Sequence, residues 1–439
     1  MTPGQRPNVL YIHSHDTGRY IQPYGHAVPA PAFQRLAEEG VLFRQNFCIG
    51  PTCSPSRAAL LTGQTPHSCG QLGLAHRGFE LQHPERHLAW TLQHSGYSTA
   101  LIGVQHVTKD PARTGYQRVP ELGSRRAPHV TPAAVEFLAS VERDRPFFLD
   151  VGFQETHRTF HNADASASAA EDARYCLPPP PLPDTPQTRA DFADFKASVR
   201  VFDAAVGEIL DALERHGHAD NTLVILTTDH GIAFPSMKCN LTDHGTGVLL
   251  IMRGPAGLRG GAVVDAMVTH LDVYPTVCDV VGIERPAWLQ GESLLPLVRG
   301  EVETLHDEVF GEVNYHAAYE PQRSVRTERW KYIRRYDDFS TPVLANCDPG
   351  PSKELWLEDG WRERPVDAEQ LYDLVFDPQE RHNLAADREH GTVLEEMKGR
   401  LERWMRETDD PLLRGPVPVP IGAVVNDRSS LTNKRAVGT

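Results

Sequence analysis

Short, almost wholly apolar runs alternate with segments of helical periodicity over about the first 300 residues, and this alternation narrows the choice of fold sharply. The runs are 8–13, 97–103, 146–153, 223–227 and 248–252. A strand with one wet face alternates polar and apolar residues, whereas runs this uniform suit a parallel sheet covered on both faces. Between them, 31–39 reads as an amphipathic helix stopped by Gly40, and 88–94 as a second helix. A long helix over 187–215 carries Phe192, Phe195, Val199 and Phe202, then Val206, Ile209, Leu210 and Leu213, a spacing that gives one buried face. The expected fold class is α/β, a mostly parallel central sheet with helices on both faces. Near residue 300 the pattern changes. Segments 308–312 and 323–335 read as short antiparallel strands, and 393–407 as a closing amphipathic helix. The expected organisation is an α/β domain over 1–300, a smaller α+β subdomain over 301–415 and an extended tail over 416–439. The proline run 177–186 reads as a stiff polyproline II spacer on the surface.

Composition limits the classes of function. A net charge of −14 argues against non-specific nucleic-acid binding. It leaves room for an anionic substrate, because local positive charge in a pocket can outweigh the global field. No run approaches the roughly 20 apolar residues of a membrane span. Residues 1–8 lead directly into the first strand, without the apolar segment of a secretory signal. A cytoplasmic location and no membrane partner are therefore expected. Cys48, Cys53, Cys69, Cys176, Cys239, Cys278 and Cys347 are odd in number and lack close pairing, which favours reduced thiols. The chain is compatible with a homo-oligomer.

In open α/β sheets the chemistry collects at the carboxyl ends of the strands. Four strand ends here carry polar clusters: His13-Ser14-His15-Asp16, then Gln105-His106, then the stretch from Gln154 through Glu155 and His157 to Arg158, and finally Asp229-His230. Each alone reads as capping or surface; together they converge on one site. Asp16, Asp229 and His230 offer oxygen and imidazole ligands for one divalent cation, with His15 as a fourth ligand or as an orienting group. His106, His157 and Lys238 are candidates to grip substrate oxygens and protonate a leaving group.

The same site would include Cys53, in the run Cys53-Ser54-Pro55-Ser56-Arg57 that leads into an apolar helix ending at Gly63. This stretch resembles the type I sulfatase signature, Cys-x-Pro-Ser-Arg followed by Leu-Thr-Gly. The resemblance implies an alkaline phosphatase-like fold and oxidation of Cys53 to formylglycine by a formylglycine-generating enzyme. The hydrated aldehyde is then the nucleophile: one hydroxyl attacks sulfur, and the other collapses to the aldehyde and expels sulfate. Further motifs are similar to the N-sulfoglucosamine sulfohydrolase (sulfamidase) branch. They include 62–67 with Gly70, 145–149, 229–236 with Asn240-Leu241, 323–325, 371–373 with Asp377-Pro378, Asn383-Leu384, Glu407-Thr408 and Asp410-Pro411. By position, the family's sulfate-gripping residues fall on Arg57, His106, His157 and Lys238. Its metal ligands fall on His15, Asp16, Asp229 and His230, plus the modified Cys53. A small sulfated substrate, such as a sulfated amino sugar, and one Ca²⁺ or Mn²⁺ ion are implied.

Two departures from that pattern stand out. The family opens its metal site with two adjacent acids, where this chain has His15-Asp16. An imidazole in place of a carboxylate shifts the expected metal from Ca²⁺ toward Mn²⁺ or Zn²⁺. The family's lysine two residues before His106 is Val104 here, so Lys109, His13 or His67 would have to supply the missing contact. Two rival readings accompany the sulfatase one: a phosphonate or phosphate ester hydrolase at the same site, and a catalytically silent relative that binds sulfated ligands.

Overall fold

In the computed structural model, which describes residues 6–142, 144–160 and 172–434, the first apolar run is strand β1 (Asn8–His13), buried along its whole length. Alternate residues serve opposite faces. Leu10 and Ile12 join one large apolar cluster, while Val9 and Tyr11 join another. The remaining strands of this sheet are β2 (Val41–Phe47), β3 (Ser98–Gly103), β4 (Phe147–Gly152), β5 (Thr222–Thr227), β6 (Leu250–Arg253) and β7 (Ala262–Thr269). They lie in the order β3-β4-β1-β5-β6-β2-β7, with β6 antiparallel to both its neighbours and every other pairing parallel. The expected α/β class holds. β2 and β7 escaped the sequence reading because Arg44, Gln45 and Asn46 interrupt one, and the first residues of the other are exposed at the sheet edge.

Helices Pro31–Glu39, Ala127–Ser140 and Pro186–Arg215 pack on the face served by Leu10 and Ile12. Helices Cys53–Thr62, Leu88–His94 and Val273–Val281 pack on the other. All ten residues of Cys53–Thr62 are buried, and Gly63 ends the helix at φ 65°, in the left-handed region that favours glycine.

A second sheet follows: β8 (Val309–Tyr315), β9 (Tyr319–Arg326), β10 (Trp330–Arg335) and β11 (Glu369–Asp373), antiparallel in the order β11-β10-β9-β8. Helix Gly391–Glu407 covers it through Met397, Leu401, Trp404 and Met405. Ion pairs bind the two sheets into one body. Asp243 faces Arg19, Arg326 and Lys331, while Glu312 on β8 bonds His67 and pairs with Arg323. The proline run is no free spacer. Pro178, Pro179 and Leu182 are buried, and 181–185 line a groove of about 890 Å³ shared with the second sheet. Residues 416–434 are largely irregular yet tied down: Asn426 N–H donates to the Ala317 carbonyl, and Lys353 donates to that of Leu431. All seven cysteines are buried, and among the described residues no helix is long and apolar enough to cross a membrane.

Candidate active site

The carboxyl ends of β1, β4 and β5 open onto one buried point, and the helix beginning at Cys53 supplies the fourth side. Cys53 is 2% exposed. Its Sγ stands where the oxygens of a formylglycine hydrate would stand. One ligand atom from each of His15, Asp16, Cys53 and Asp229 lies within 4.8 Å of all the others. His230 Nε2 completes the group, 3.3 Å from Asp16 Oδ1, 3.6 Å from Asp229 Oδ2 and 3.4 Å from Cys53 Sγ. The ring's Nδ1 is 2.9 Å from the Gly231 carbonyl and so carries the hydrogen, which leaves the Nε2 lone pair directed inward when the ring is neutral.

A cation fits this donor set. His15 Nδ1 and Asp16 Oδ1 are buried without hydrogen-bond partners, although His15 Nδ1 lies only 3.0 Å from Asp229 Oδ2. Buried polar atoms seldom remain unsatisfied unless something else binds there. Burial and Arg57 both disfavour charge on His15, but Asp229 and Asp16 hold its pKa up at about 10. Burial is likewise outweighed at His230, which Asp229 and Asp16 raise to about 9. Two carboxylates facing two imidazoles and a thiol thus attract positive charge, whether protons or a metal ion.

Arg57, one helical turn after Cys53, donates to Asp229 Oδ2 at 2.9 Å and to the Ser14 carbonyl at 2.7 Å. Burial opposes ionisation of Asp229, yet Arg57 and His230 keep its carboxyl well below the usual range. Arg57 also contacts His13 Nδ1, and His13 Nε2 bonds Asp150 Oδ1 at 2.9 Å. Burial lowers the His13 pKa, so the ring is neutral and passes the orientation of Asp150 to Arg57. This contact depends on Gly152: a Cβ there would lie 1.8 Å from the Val104 carbonyl oxygen and 2.5 Å from His13 Cε1. His13 is therefore the imidazole that occupies the neighbourhood of Val104. His67 is engaged with Glu312, and Lys109 lies in an adjoining cavity.

Lys238 is buried between two acids, 2.9 Å from Asp16 Oδ2 and 2.8 Å from Asp348 Oδ2, which raise its pKa well above the usual value against the opposing effect of burial. His106 interacts with the Cys53 thiol, and its Nε2 lies 2.8 Å from His76 Nδ1, the two rings stacked at 5.1 Å. Burial lowers both rings, His76 to about 4. The His157 ring meets the His15 ring edge-on at 5.3 Å, and one of its nitrogens lies with Asp16 and Asp348 in a second tight cluster. Asp16 and His106 both adopt positive φ, 52° and 55°, a strained conformation common where side chains are placed for function. Of the other residues grouped with His157 in the sequence, Glu155 accepts from the Ala127 N–H and Arg158 forks onto Asp191; both are structural.

Every predicted site residue is thus near Cys53, and several unpredicted ones join them. His316, buried just after β8, interacts with the Cys53 thiol. Asp348 holds Lys238, and His76 backs His106. None of these three carried a recognisable motif; only His13 and Asp150 stood within the strand runs already singled out.

Comparison with known proteins agrees with this geometry. Residues 7–283 match the Sulfatase family, and residues 238–358 match the family described as N-sulphoglucosamine sulphohydrolase, C-terminal. The human N-sulphoglucosamine sulphohydrolase is 32% identical, over 93% of this chain and 92% of that protein. An ulvan-active sulfatase of Formosa agariphila is 26% identical, over 95% of this chain and 83% of that protein. A solved structure in complex with its substrate D-glucosamine-2-N,6-O-disulfate superposes with a TM-score of 0.69 at 20% identity, covering 94% of this chain and 99% of the other.

Proposed function

We propose that this chain, which belongs to the sulfatase family and hydrolyses sulfate esters or sulfamates, acts on a sulfated amino sugar through Cys53 and a transition-metal centre. The observation that supports this most directly is the buried convergence of His15, Asp16, Asp229 and His230 on Cys53, with two donor atoms unsatisfied. Cys53, once oxidised to formylglycine, supplies a geminal diol whose second hydroxyl provides the exit that an ordinary serine ester lacks. A divalent ion held by Asp16, Asp229, His230 and His15 would polarise a sulfuryl oxygen and acidify that diol. Two imidazoles beside two carboxylates favour Mn²⁺ over Ca²⁺, since Ca²⁺ prefers an all-oxygen shell.

The chain's own residues then perform the rest. Arg57, fixed by Asp229 and the Ser14 carbonyl, holds the diol. Lys238 and His157 face the oxygens on which charge develops, in a largely buried site, where such contacts act more strongly than in bulk water. His106 shares one proton with exposed His76 across 2.8 Å, a route by which a proton moves between the leaving group and solvent. The sulfated amino sugar is supported by the 32% identity to the human sulphohydrolase. The test is sulfate release from glucosamine 2-N-sulfate, with a phosphonate monoester in parallel. Turnover of the phosphonate alone would refute the proposal. Elemental analysis of the purified protein should find about one Mn²⁺, and His15→Asp should shift the bound ion toward Ca²⁺; retention of Mn²⁺ preference would refute the role of His15.

A further inference from the structure

Beside the catalytic centre lies a second cavity, of about 590 Å³, whose lining includes His106 and His76. It therefore adjoins the nucleophile on the side of the group assigned to the leaving group. Leu101 and Leu122 give it an apolar wall, and the turn after β3 forms one edge. That turn is fixed by Gln105, whose Oε1 accepts the N–H groups of Val107 at 2.6 Å and Thr108 at 3.0 Å. Lys109 follows immediately. Across the cavity, Arg125 is anchored through its carbonyl, which accepts the Gln154 N–H at 3.0 Å.

The charges here are arranged differently from those nearby. Arg113 lies 3.6 Å from Glu80, and Arg126 lies 4.0 Å from Glu155. Lys109 and Arg125, both exposed, have no acidic partner among the described residues. Glu121 is the one carboxylate in the lining, so cations outnumber it. On a chain of net charge −14, whose general field repels anions, two unpaired cations beside an active-site wall concentrate positive potential at a single place.

Given sulfate transfer at Cys53 as read above, we propose that this cavity is the leaving-group subsite, and that Lys109 and Arg125 bind a second anionic substituent of the substrate. The favoured substrates are accordingly saccharides bearing a sulfate or carboxylate beyond the group that is cleaved. The apolar wall takes a face of the sugar ring, and the two cations select the substituent.

Calorimetric titration of the metal-loaded full chain carrying Cys53→Ala, which removes turnover, tests this with two probes: glucosamine 2-N,6-O-disulfate and glucosamine 2-N-sulfate. The disulfate should bind more tightly. Lys109→Gln with Arg125→Gln should weaken disulfate binding by about tenfold, a size suited to two solvent-screened charges. The ratio of the two Kd values should then approach one, and Lys109→Arg should retain the preference. Absence of disulfate binding, equal Kd values in the parent protein, or a ratio unchanged by the double variant would overturn the proposal. The sulfatase reading would fail separately, through absence of sulfate release from either probe by the protein with intact Cys53.

Discussion

The parallel sheet and the antiparallel sheet both reach Cys53, but by different means. β1, β4 and β5 deliver His15, Asp16, His157, Asp229 and His230 within a few residues of their last buried apolar position. These strands are covered on both faces, so the backbone leaves the core at a fixed place and direction. The antiparallel sheet contributes His316 from a hairpin and Asp348 from a loop, neither at a strand end set by the parallel core. The first set is fixed by the largest apolar clusters in the molecule; the second depends on ion pairs and on chain segments wrapped across the seam. What this teaches is a division of labour. The strand ends of the parallel sheet present the candidate metal donors to Cys53 at the start of its buried helix, and the antiparallel sheet adds charged and imidazole groups around residues already in place.

Removing the thiol on which the first set converges should have the largest effect. Cys53→Ala should reduce turnover to no more than a few per cent of wild type, with circular dichroism and metal content largely kept. Substantial residual sulfate release would remove Cys53 from the account. Next come the groups facing developing charge. His157→Ala and Lys238→Ala should each lower kcat by on the order of 100- to 1,000-fold. Wild-type kinetics in both would leave only the Cys53 and metal assignments standing.

The antiparallel contribution is expected to be smaller. Asp348→Asn removes one of the two acids on Lys238, and partners of this kind typically alter metal affinity or activity by about 10- to 100-fold. His316→Gln should fall in the same range. If either matched the loss seen with Lys238→Ala, the distinction between the two sheets would fail.

The smallest predicted effect is on stability at the seam. Burial alone would raise the Glu312 carboxyl, but His67 and Arg323 hold it at about 2, against an ordinary 4.5. A carboxylate depressed on folding adds stability above about pH 4.5 and loses it as the pH falls toward 2. Glu312→Gln should therefore lower Tm by several degrees at neutral pH, and the difference from wild type should shrink across that acid window. A difference independent of pH between 2 and 7 would contradict this reading of the seam.

The sequence revealed the parallel sheet because uniformly apolar runs such as Asn8–His13 can be satisfied only inside a two-sided core. It revealed the donors at β1 and β5 because they follow those runs directly. β2 remained hidden, since Arg44, Gln45 and Asn46 break its apolar pattern even though the strand lies inside the sheet. Asp348 and His316 were illegible for another reason: their neighbours in space, Lys238 and Cys53, are more than a hundred residues away in the chain, and no local periodicity encodes that contact. The proline run misled for a similar reason. Its partners are the walls of a groove formed by a later sheet.

In the function proposed above, Cys53 becomes the nucleophile of a metal-assisted sulfatase. Mass spectrometry of the Cys53 peptide, from protein made in a host with a formylglycine-generating enzyme and shown to release sulfate, tests it most directly. An aldehyde, or its hydrate, is expected in place of the thiol. An unmodified Cys53 thiol throughout a fully active preparation would contradict it.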